Sequence, residues 1–231
     1  YDADIEVAAR RIAWGKCLNA GQTCIAPDYL LVHSAVKDRL IAALGKEFKA
    51  LLGEEPQQSK HFVRIVNERA FDRLVGYFKD GDIVVGGKTD RSERFIEPTI
   101  LDNVKVDSPV MQEEIFGPIF PVVTFESTAE ALNFVTSREK PLALYYFGGS
   151  GKHILRHTSS GGACINDTIM HIANENLPFG GVGNSGMSSY HGKDSFDVFS
   201  HHRAVVTTPT WLDLPFRYMP YKLFSLVKKL L

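Results

Sequence analysis

Cysteine is scarce in this chain, long apolar runs are missing, and neither sign of charge is in excess. The 231 residues include three cysteines, Cys17, Cys24 and Cys164. An odd and small number argues against a disulfide-stabilised scaffold and for a reducing compartment. No apolar run reaches transmembrane length and no signal peptide is visible. We therefore expect a cytoplasmic protein.

The charge balance bears on partners. A formal net charge of −1 gives no broad electrostatic case for nucleic acid, and we expect none to bind. Hydrophobic residues make up 44% of the chain and charged residues 23%, which is ordinary for a globular protein. The length is sufficient for one large domain or two small ones with a proper core.

Helical and strand patterns alternate along most of the sequence. Residues 5–19 and 35–52 carry apolar side chains at helical spacing, and a further amphipathic stripe runs from Phe71 to Phe78. Further helices are predicted near 128–137 and 151–158. Strands are predicted at 29–33, 83–86, 95–101, 119–125, 142–147 and 161–166. This alternation predicts an α/β fold with an open, mainly parallel sheet and helices on both faces.

Cys24 lies in the run Gly21-Gln22-Thr23-Cys24-Ile25-Ala26-Pro27-Asp28-Tyr29, between a helical segment and an apolar strand. A thiol on such a turn can face a cleft, and its thiolate is a strong nucleophile. An unperturbed thiol is only about 3% ionised at pH 7, so a catalytic role requires an activating group. Taken alone, the residue is better interpreted as a small buried hydrophobe than as a catalyst.

Three ordered blocks resemble the aldehyde dehydrogenase family over about the first 207 residues. The first is the Cys24 segment, the second is Glu113-Glu114-Ile115-Phe116-Gly117-Pro118, and the third is the loop from Leu177 to Met187. Two stretches resemble the class 3 branch of the family, which handles fatty and aromatic aldehydes. They are the residues around Cys24 and the run Ser189-Tyr190-His191-Gly192-Lys193.

The resemblance implies an NAD- or NADP-dependent oxidation of an aldehyde to a carboxylate, through a thiohemiacetal and a thioester on Cys24. The nicotinamide-binding domain, the general-base glutamate and an oxyanion-binding asparagine would lie upstream of Tyr1. We therefore expect the C-terminal half of a longer protein, with a catalytic domain at 1–200 and an oligomerisation strand and tail at 201–231. The isolated chain is expected to be inactive.

Glu114 and Phe116 are the cofactor-binding residues that the resemblance implies. Glu114 would accept hydrogen bonds from the nicotinamide ribose hydroxyls, because a carboxylate suits a vicinal diol. Phe116 would pack against the nicotinamide end. Without the resemblance, adjacent acids before a Gly-Pro pair indicate a solvated turn.

The late loop contains a motif that imitates a phosphate site. Residues 181–186 fit G-x-G-x-x-G, but no strand is predicted before them and no helix after them, so we reject a dinucleotide fingerprint. The resemblance instead makes the loop a wall of the substrate site. Phe179 would give an apolar surface, and Gly180 and Gly181 would allow close approach of the backbone.

Other polar residues are interpreted as structural. His153 and His157 share a helix face but lack a third ligand, so the sequence gives no case for a metal. Asn166 is expected to organise the late loop without doing chemistry. Cys17 and Cys164 are interpreted as packing residues.

The C-terminal segment carries the oligomerisation prediction. Residues 202–208 are predicted to form a strand, and the resemblance implies that it reaches a partner subunit in a homodimer. Beyond it, the tail from Trp211 to Leu231 is aromatic and basic, which would suit a membrane surface. We favour docking on the protein's own surface, because Pro215 and Pro220 interrupt a helix.

Two other functions stay open from the sequence. Cys24 would also serve a thioester-forming acyltransferase, although such enzymes pair the nucleophile with a histidine or a second cysteine. Alternatively, the chain is a non-catalytic interaction module without a cofactor domain.

Overall fold

The computed structural model describes residues 2–221 and 228–229. It divides into a compact unit at Tyr1–Val198 and a small unit at Phe199–Leu231. The helices of the first unit are α1 (Ile5–Cys17), α2 (Lys37–Leu52), α3 (Glu68–Gly76), α4 (Thr128–Thr136), α5 (Lys152–His157) and α6 (Gly192–Val198). The strands are β1 (Leu30–His33), β2 (Asp82–Val85), β3 (Thr89–Asp90), β4 (Phe95–Ile96), β5 (Thr99–Asp102), β6 (Ile119–Phe125), β7 (Ala143–Tyr146) and β8 (Gly162–Ile165).

The main sheet has four strands in the order β1-β6-β5-β2. Strands β1, β6 and β5 are parallel, with Leu30 opposite Val122 and Thr99 opposite Ile119. Strand β2 joins the edge antiparallel to β5. Strands β7 and β8 form a separate parallel pair, and β3 and β4 form a short antiparallel pair. The predicted open, mainly parallel sheet is confirmed.

Alternating side chains of the central strands build one core on each face of the sheet. On one face, Phe120 and Ile100 pack in the same cluster as Leu44 of α2 and the alanines of α1. On the other face, Leu101 and Ile119 pack with Leu74 of α3. Because successive residues of a strand point to opposite faces, a buried apolar run such as Ile119 to Val123 of β6 needs helices on both sides.

Capping residues define where the helices begin. Asp4 accepts a hydrogen bond from the amide of Val7 at 3.0 Å, and Asn67 accepts one from the amide of Ala70 at 2.9 Å. Ser127 caps α4 through the amide of Glu130. These side chains satisfy amide groups that have no partner within the first helical turn.

Two elements of the first unit differ from the sequence prediction, one strand and one helix. The predicted strand 95–101 is split at Glu97-Pro98, so that β4 pairs with β3 while β5 enters the main sheet. Proline has no amide hydrogen for a ladder, which explains the break. Helix α6 was not predicted, because its surroundings are rich in glycine, serine and histidine.

The predicted strand at 202–208 is not formed. This stretch has no regular structure and is exposed, and in the described part of the chain no strand lies beside it. An extended segment becomes a strand only when a neighbour supplies the ladder hydrogen bonds. In the same unit Tyr218 donates a hydrogen bond to Asp213 at 2.8 Å. The prediction for the aromatic, basic tail falls partly on residues 222–227 and 230–231, which lie outside the described residues.

Within the described ranges, none of the helices has the length and apolar character needed to cross a membrane.

The two-sided core predicts that two leucines contribute very differently to the free energy of unfolding. Leu44 is fully buried between α2 and the sheet, whereas Leu155 on α5 is 43% exposed. Leu44→Ala should lower the free energy of unfolding by about 2–5 kcal/mol, since it removes packed methyl groups and leaves a cavity. The matched Leu155→Ala should change it by less than about 1 kcal/mol. Urea unfolding of both variants measures this, and equal losses would contradict the described core.

Candidate active site

Cys24 is exposed on a turn between α1 and β1. The chain leaves α1 through residues Asn19 and Ala20, both in left-handed backbone conformations with φ of 51°. It turns again where the amide of Ala26 donates to the carbonyl of Thr23 at 2.9 Å. The structure therefore places this thiol on the kind of turn that the sequence predicted.

The other two cysteines are buried. Burial raises the pKa of Cys17 to about 12, with the nearby Lys16 opposing the shift. Burial also raises the pKa of Cys164. Both thiols are thus held in their neutral, weakly nucleophilic form, as expected of packing residues.

The residues that follow Cys24 are tied to the protein interior. The side chain of Ile25 is buried in a cluster with Ile169 and Phe179. Its carbonyl accepts a hydrogen bond from the hydroxyl of Tyr145 at 2.6 Å. The turn is therefore held while its thiol stays in solvent.

A buried ammonium group holds the end of the same turn. Lys16 is 1% exposed, and its Nζ donates to the carbonyl of Pro27 at 2.8 Å and to that of Asp28 at 3.4 Å. The Nζ also lies 4.6 Å from the centroid of the Phe120 ring, a cation–π distance. Burial lowers the pKa of Lys16 to about 8, and the carboxylate of Asp28 opposes this shift.

Asp28 connects this turn to the second predicted block. Its Oδ1 accepts a hydrogen bond from the backbone amide of Ile115 at 3.1 Å. Burial raises the pKa of Asp28, while the positive charge of Lys16 and the bond from Ile115 lower it. On the other side, Arg73 donates to the carbonyls of Glu114 at 3.2 Å and Ile115 at 2.7 Å.

Glu114 and Phe116 protrude from this clamped segment. Phe116 has a φ of 52°, and its side chain is 40% exposed. Partial burial raises the pKa of Glu114, the charge of Asp28 adds to the rise, and Arg73 opposes it. Ile115 between them is fully buried, so that its two neighbours face outward.

Two glycines bring the Cys24 turn and the Glu114 segment into contact. A Cβ on Gly21 would lie 2.3 Å from the carbonyl oxygen of Gly117, and Gly21 has a φ of 72°. A Cβ on Gly117 would in turn lie 2.5 Å from Leu74. Neither position has room for a side chain. The structure thus joins two motifs that are about ninety residues apart in the sequence.

The late loop is anchored by an aromatic stack. Phe179 is buried, and its ring lies between the imidazoles of His171 and His191, with centroid separations of 5.9 and 5.8 Å. Phe179 and Tyr190 exchange backbone hydrogen bonds of 2.8 and 2.9 Å. Since Phe179 and Ile25 share one cluster, this anchor lies beside the turn that carries Cys24.

The glycines of the loop serve backbone packing. A Cβ on Gly180 would lie 2.1 Å from the carbonyl of Ser188, and one on Gly181 would lie 2.0 Å from that of Ser185. Gly183–Ser185 is a single 3-10 turn, and Gly186 opens no helix. The segment therefore lacks the strand and helix that a phosphate cradle requires.

Asn166 organises backbone rather than facing Cys24. Its side-chain amide donates to the carbonyl of Gly148 and accepts from the amide of the same residue, both at 2.8 Å. The backbone carbonyl of Asn166 accepts from Arg11.

Several residues of this site were not found from the sequence. They are Lys16, Asp28, Arg73, Tyr145 and His171. A lysine in the apolar stripe of α1 was a weak signal, since Lys16 stands beside Ala13 and Cys17 on the buried face. Asp28, Arg73 and Tyr145 bond backbone groups distant in sequence, and no local pattern indicates such contacts. His171 contacts the Cys164 thiol and the rings of Tyr145 and Phe179.

No group of three or more histidine, cysteine, aspartate or glutamate side chains suited to a metal occurs in the part of the chain that the structure describes. His153 and His157 pack with ring centroids 4.3 Å apart, and Nδ1 of His157 lies 2.8 Å from the carbonyl of His153. Nδ1 of His157 is therefore engaged with its own helix.

Comparison with known proteins gives consistent matches. The chain is 48% identical over 229 residues to aldehyde dehydrogenase family 3 comG of Dictyostelium discoideum, covering 97% of this chain and 49% of that protein. It is 51% identical over 206 residues to the dimeric NADP-preferring aldehyde dehydrogenase of Rattus norvegicus, covering 88% of this chain and 46% of that protein. The chain thus spans about half the length of these curated relatives.

A solved structure matches the fold closely. The substrate-bound AldH of Staphylococcus aureus superimposes with a TM-score of 0.91 at 48% identity, covering 99% of this chain and 51% of that one. The model of the aldehyde dehydrogenase family matches residues 1–205. The chain carrying the Cys24 and Glu114 turns therefore belongs to the aldehyde dehydrogenase family.

Proposed function

We propose that this chain is the nucleophile-bearing half of an NAD(P)-dependent enzyme that oxidises an aldehyde to a carboxylate. One observation carries the proposal: the exposed thiol of Cys24 and the clamped Glu114 segment lie on two turns in direct contact through Gly21 and Gly117. A reaction of this kind needs a nucleophile and a hydride acceptor held side by side.

The residues of this chain perform the covalent part of the reaction. The thiolate of Cys24 attacks the aldehyde carbon, and the carbonyl π electrons move to oxygen, giving a thiohemiacetal. The backbone amide of Cys24 donates to the developing oxyanion. Once this carbon has lost a hydride, the oxygen reforms its double bond and the product is a thioester. Water then adds to the thioester, the sulfur leaves as thiolate, and a carboxylate is released.

Glu114 and Phe116 fit the ribose and nicotinamide end of a dinucleotide. Glu114 offers two acceptor oxygens to a diol, and the exposed ring of Phe116 offers an apolar surface for an aromatic ring. Both stand on backbone held by Arg73 and Asp28, so their positions are set before a ligand arrives. A bound nicotinamide cofactor supplies the hydride acceptor.

The class 3 assignment, the substrate and the assembly are parts of the same proposal. The names of the Dictyostelium and rat relatives support class 3, and the rat name supports NADP use and a dimer. We propose fatty or aromatic aldehydes as substrates, a homodimer in which residues 202–208 find a partner strand, and a cytoplasmic location consistent with three free cysteines.

An acyltransferase finds no support in the site. Such an enzyme pairs its nucleophile with a base, but the cysteine–histidine pair of the described chain is Cys164 with His171, at 3.3 Å. That thiol is buried, whereas the exposed thiol of Cys24 has no histidine bonded to it within residues 2–221. The upstream glutamate that the resemblance implies would instead activate the water that hydrolyses the thioester.

Cysteine accessibility predicts selective modification. Iodoacetamide should label Cys24 in the folded chain at least about tenfold faster than Cys17 or Cys164, because burial keeps the latter two protonated and shielded. Peptide mass spectrometry after timed labelling measures the three rates. Equal labelling in the native state, with equal labelling in urea as the control, would contradict the exposed turn.

The dehydrogenase activity of the intact protein should require both halves. Steady-state NAD(P) reduction is expected with the upstream half present and absent from the isolated chain. Cys24→Ala should abolish it, and Cys17→Ala should retain it after correction for any loss of folded protein. Turnover by the isolated chain, measured at 340 nm, would show that the proposed division of the enzyme is wrong.

The raised pKa of Glu114 predicts how cofactor binding depends on pH. Only the ionised carboxylate accepts from both ribose hydroxyls, so affinity is lost as pH falls through a pKa above the ordinary 4.5. Glu114→Gln should raise the cofactor KM about tenfold and flatten this dependence.

The matched control is Glu113→Gln, whose carboxylate forms a 3.7 Å surface ion pair with Arg73. It should alter the cofactor KM by less than about twofold. Equal effects of the two substitutions would remove the ribose role from Glu114.

A further inference from the structure

Tyr145 forms a hydrogen bond to the residue that directly follows Cys24. Its hydroxyl, on β7, donates to the carbonyl of Ile25 at 2.6 Å, across 120 residues of chain. Ile25 directly follows Cys24 and lies inside the Thr23–Ala26 turn. Any reorientation of the Ile25–Ala26 peptide unit, one residue beyond Cys24, has to break or stretch this bond.

The Tyr145 hydroxyl bonds one backbone segment and lies near a second. Besides donating to Ile25, it is close to the backbone amide of Ile169, which favours its ionised form. Ile169 has a φ of 65°, a conformation that β-branched residues rarely adopt. Such a conformation persists only where surrounding contacts enforce it. Here Ile169 is also packed with Ile25 and Phe179.

The hydroxyl is a constant donor. Burial raises the pKa of Tyr145 well above its ordinary value, and a negative charge on a nearby thiolate would act in the same direction. The proton therefore stays on the oxygen over the working pH range of an enzyme. The ring is held in place by the His171 imidazole, with centroids 6.0 Å apart.

We propose that Tyr145 is a positioning residue for Cys24: its hydroxyl fixes the Ile25 carbonyl, and through it the orientation of the Cys24 thiol and of the backbone amide that faces the oxyanion. This inference rests on the proposed function. Tyr145 touches neither substrate nor cofactor, and it ties the nucleophile turn to the segment at the base of the late loop.

The test compares Tyr145→Phe with Tyr146→Phe in the intact protein. Both changes remove one phenolic oxygen from the same strand. The hydroxyl of Tyr146 lies beside Gly148, where a Cβ would approach it to 2.6 Å, at the end of the strand near Asp2. Each variant is assayed for the rate of the first turnover, for kcat and the aldehyde and cofactor KM, and for thermal stability.

Tyr145→Phe should slow the first turnover on the order of ten- to a hundredfold while both KM values change less than about twofold, because misplacement of a reacting group affects the barrier more than binding. Tyr146→Phe should leave the first-turnover rate unchanged. A wild-type rate in Tyr145→Phe, even with lowered stability, would overturn the proposal, as would equal slowing in the two variants.

Cys24→Ala in the same assay distinguishes failure of the positioning role of Tyr145 from failure of the proposed function. If Cys24→Ala is inactive and Tyr145→Phe is unimpaired, the positioning role alone is wrong. If Cys24→Ala retains turnover, the proposed function is wrong and the role of Tyr145 falls with it. Should Tyr145→Phe fold poorly, the rate of Cys24 alkylation in its folded fraction decides. A rate equal to that of wild type would overturn the proposal.

Discussion

The position of the turn that carries Cys24 depends on a positive charge buried beneath it. Lys16 is buried on the inner face of α1, and its Nζ donates hydrogen bonds to two carbonyls at the end of the turn. A buried ammonium is costly unless it is bonded and faces an opposite charge, and here Asp28 supplies that charge. Uncompensated buried charges typically cost about 3–5 kcal/mol. The turn therefore cannot move independently of the sheet.

Asp28 passes this constraint to the second turn. Its carboxylate is attracted by Lys16 and accepts the amide of Ile115, while Arg73 binds the carbonyls from the opposite side. The backbone contact at Gly21 and Gly117 leaves no space between the two segments. An exposed thiol and an exposed carboxylate are consequently held at a fixed spacing by groups that do no chemistry themselves. Such preorganisation is what a reaction between two bound partners requires.

The sequence predicted the fold well and the supporting network poorly. Apolar periodicity located α1, α2, α3 and β6, because burial on one or both faces leaves a direct pattern. Motif resemblance pointed to Cys24, Glu114 and Phe179. Arg73 and Tyr145 were missed because each bonds a backbone carbonyl distant in sequence, and a carbonyl carries no residue-specific signal. The strand expected at 202–208 failed for a related reason, since a strand is defined by its neighbour and not by its own residues.

The central claim is that Cys24 carries the substrate as a thioester. The most direct measurement is peptide mass spectrometry of the intact protein, quenched in acid during turnover with an aromatic aldehyde and NAD(P). The account predicts an acyl group on the peptide that contains Cys24, with its mass matching the oxidised aldehyde. An acyl group on Cys17, Cys164 or another residue, or turnover with no acylated peptide when hydrolysis is rate-limiting, would contradict it.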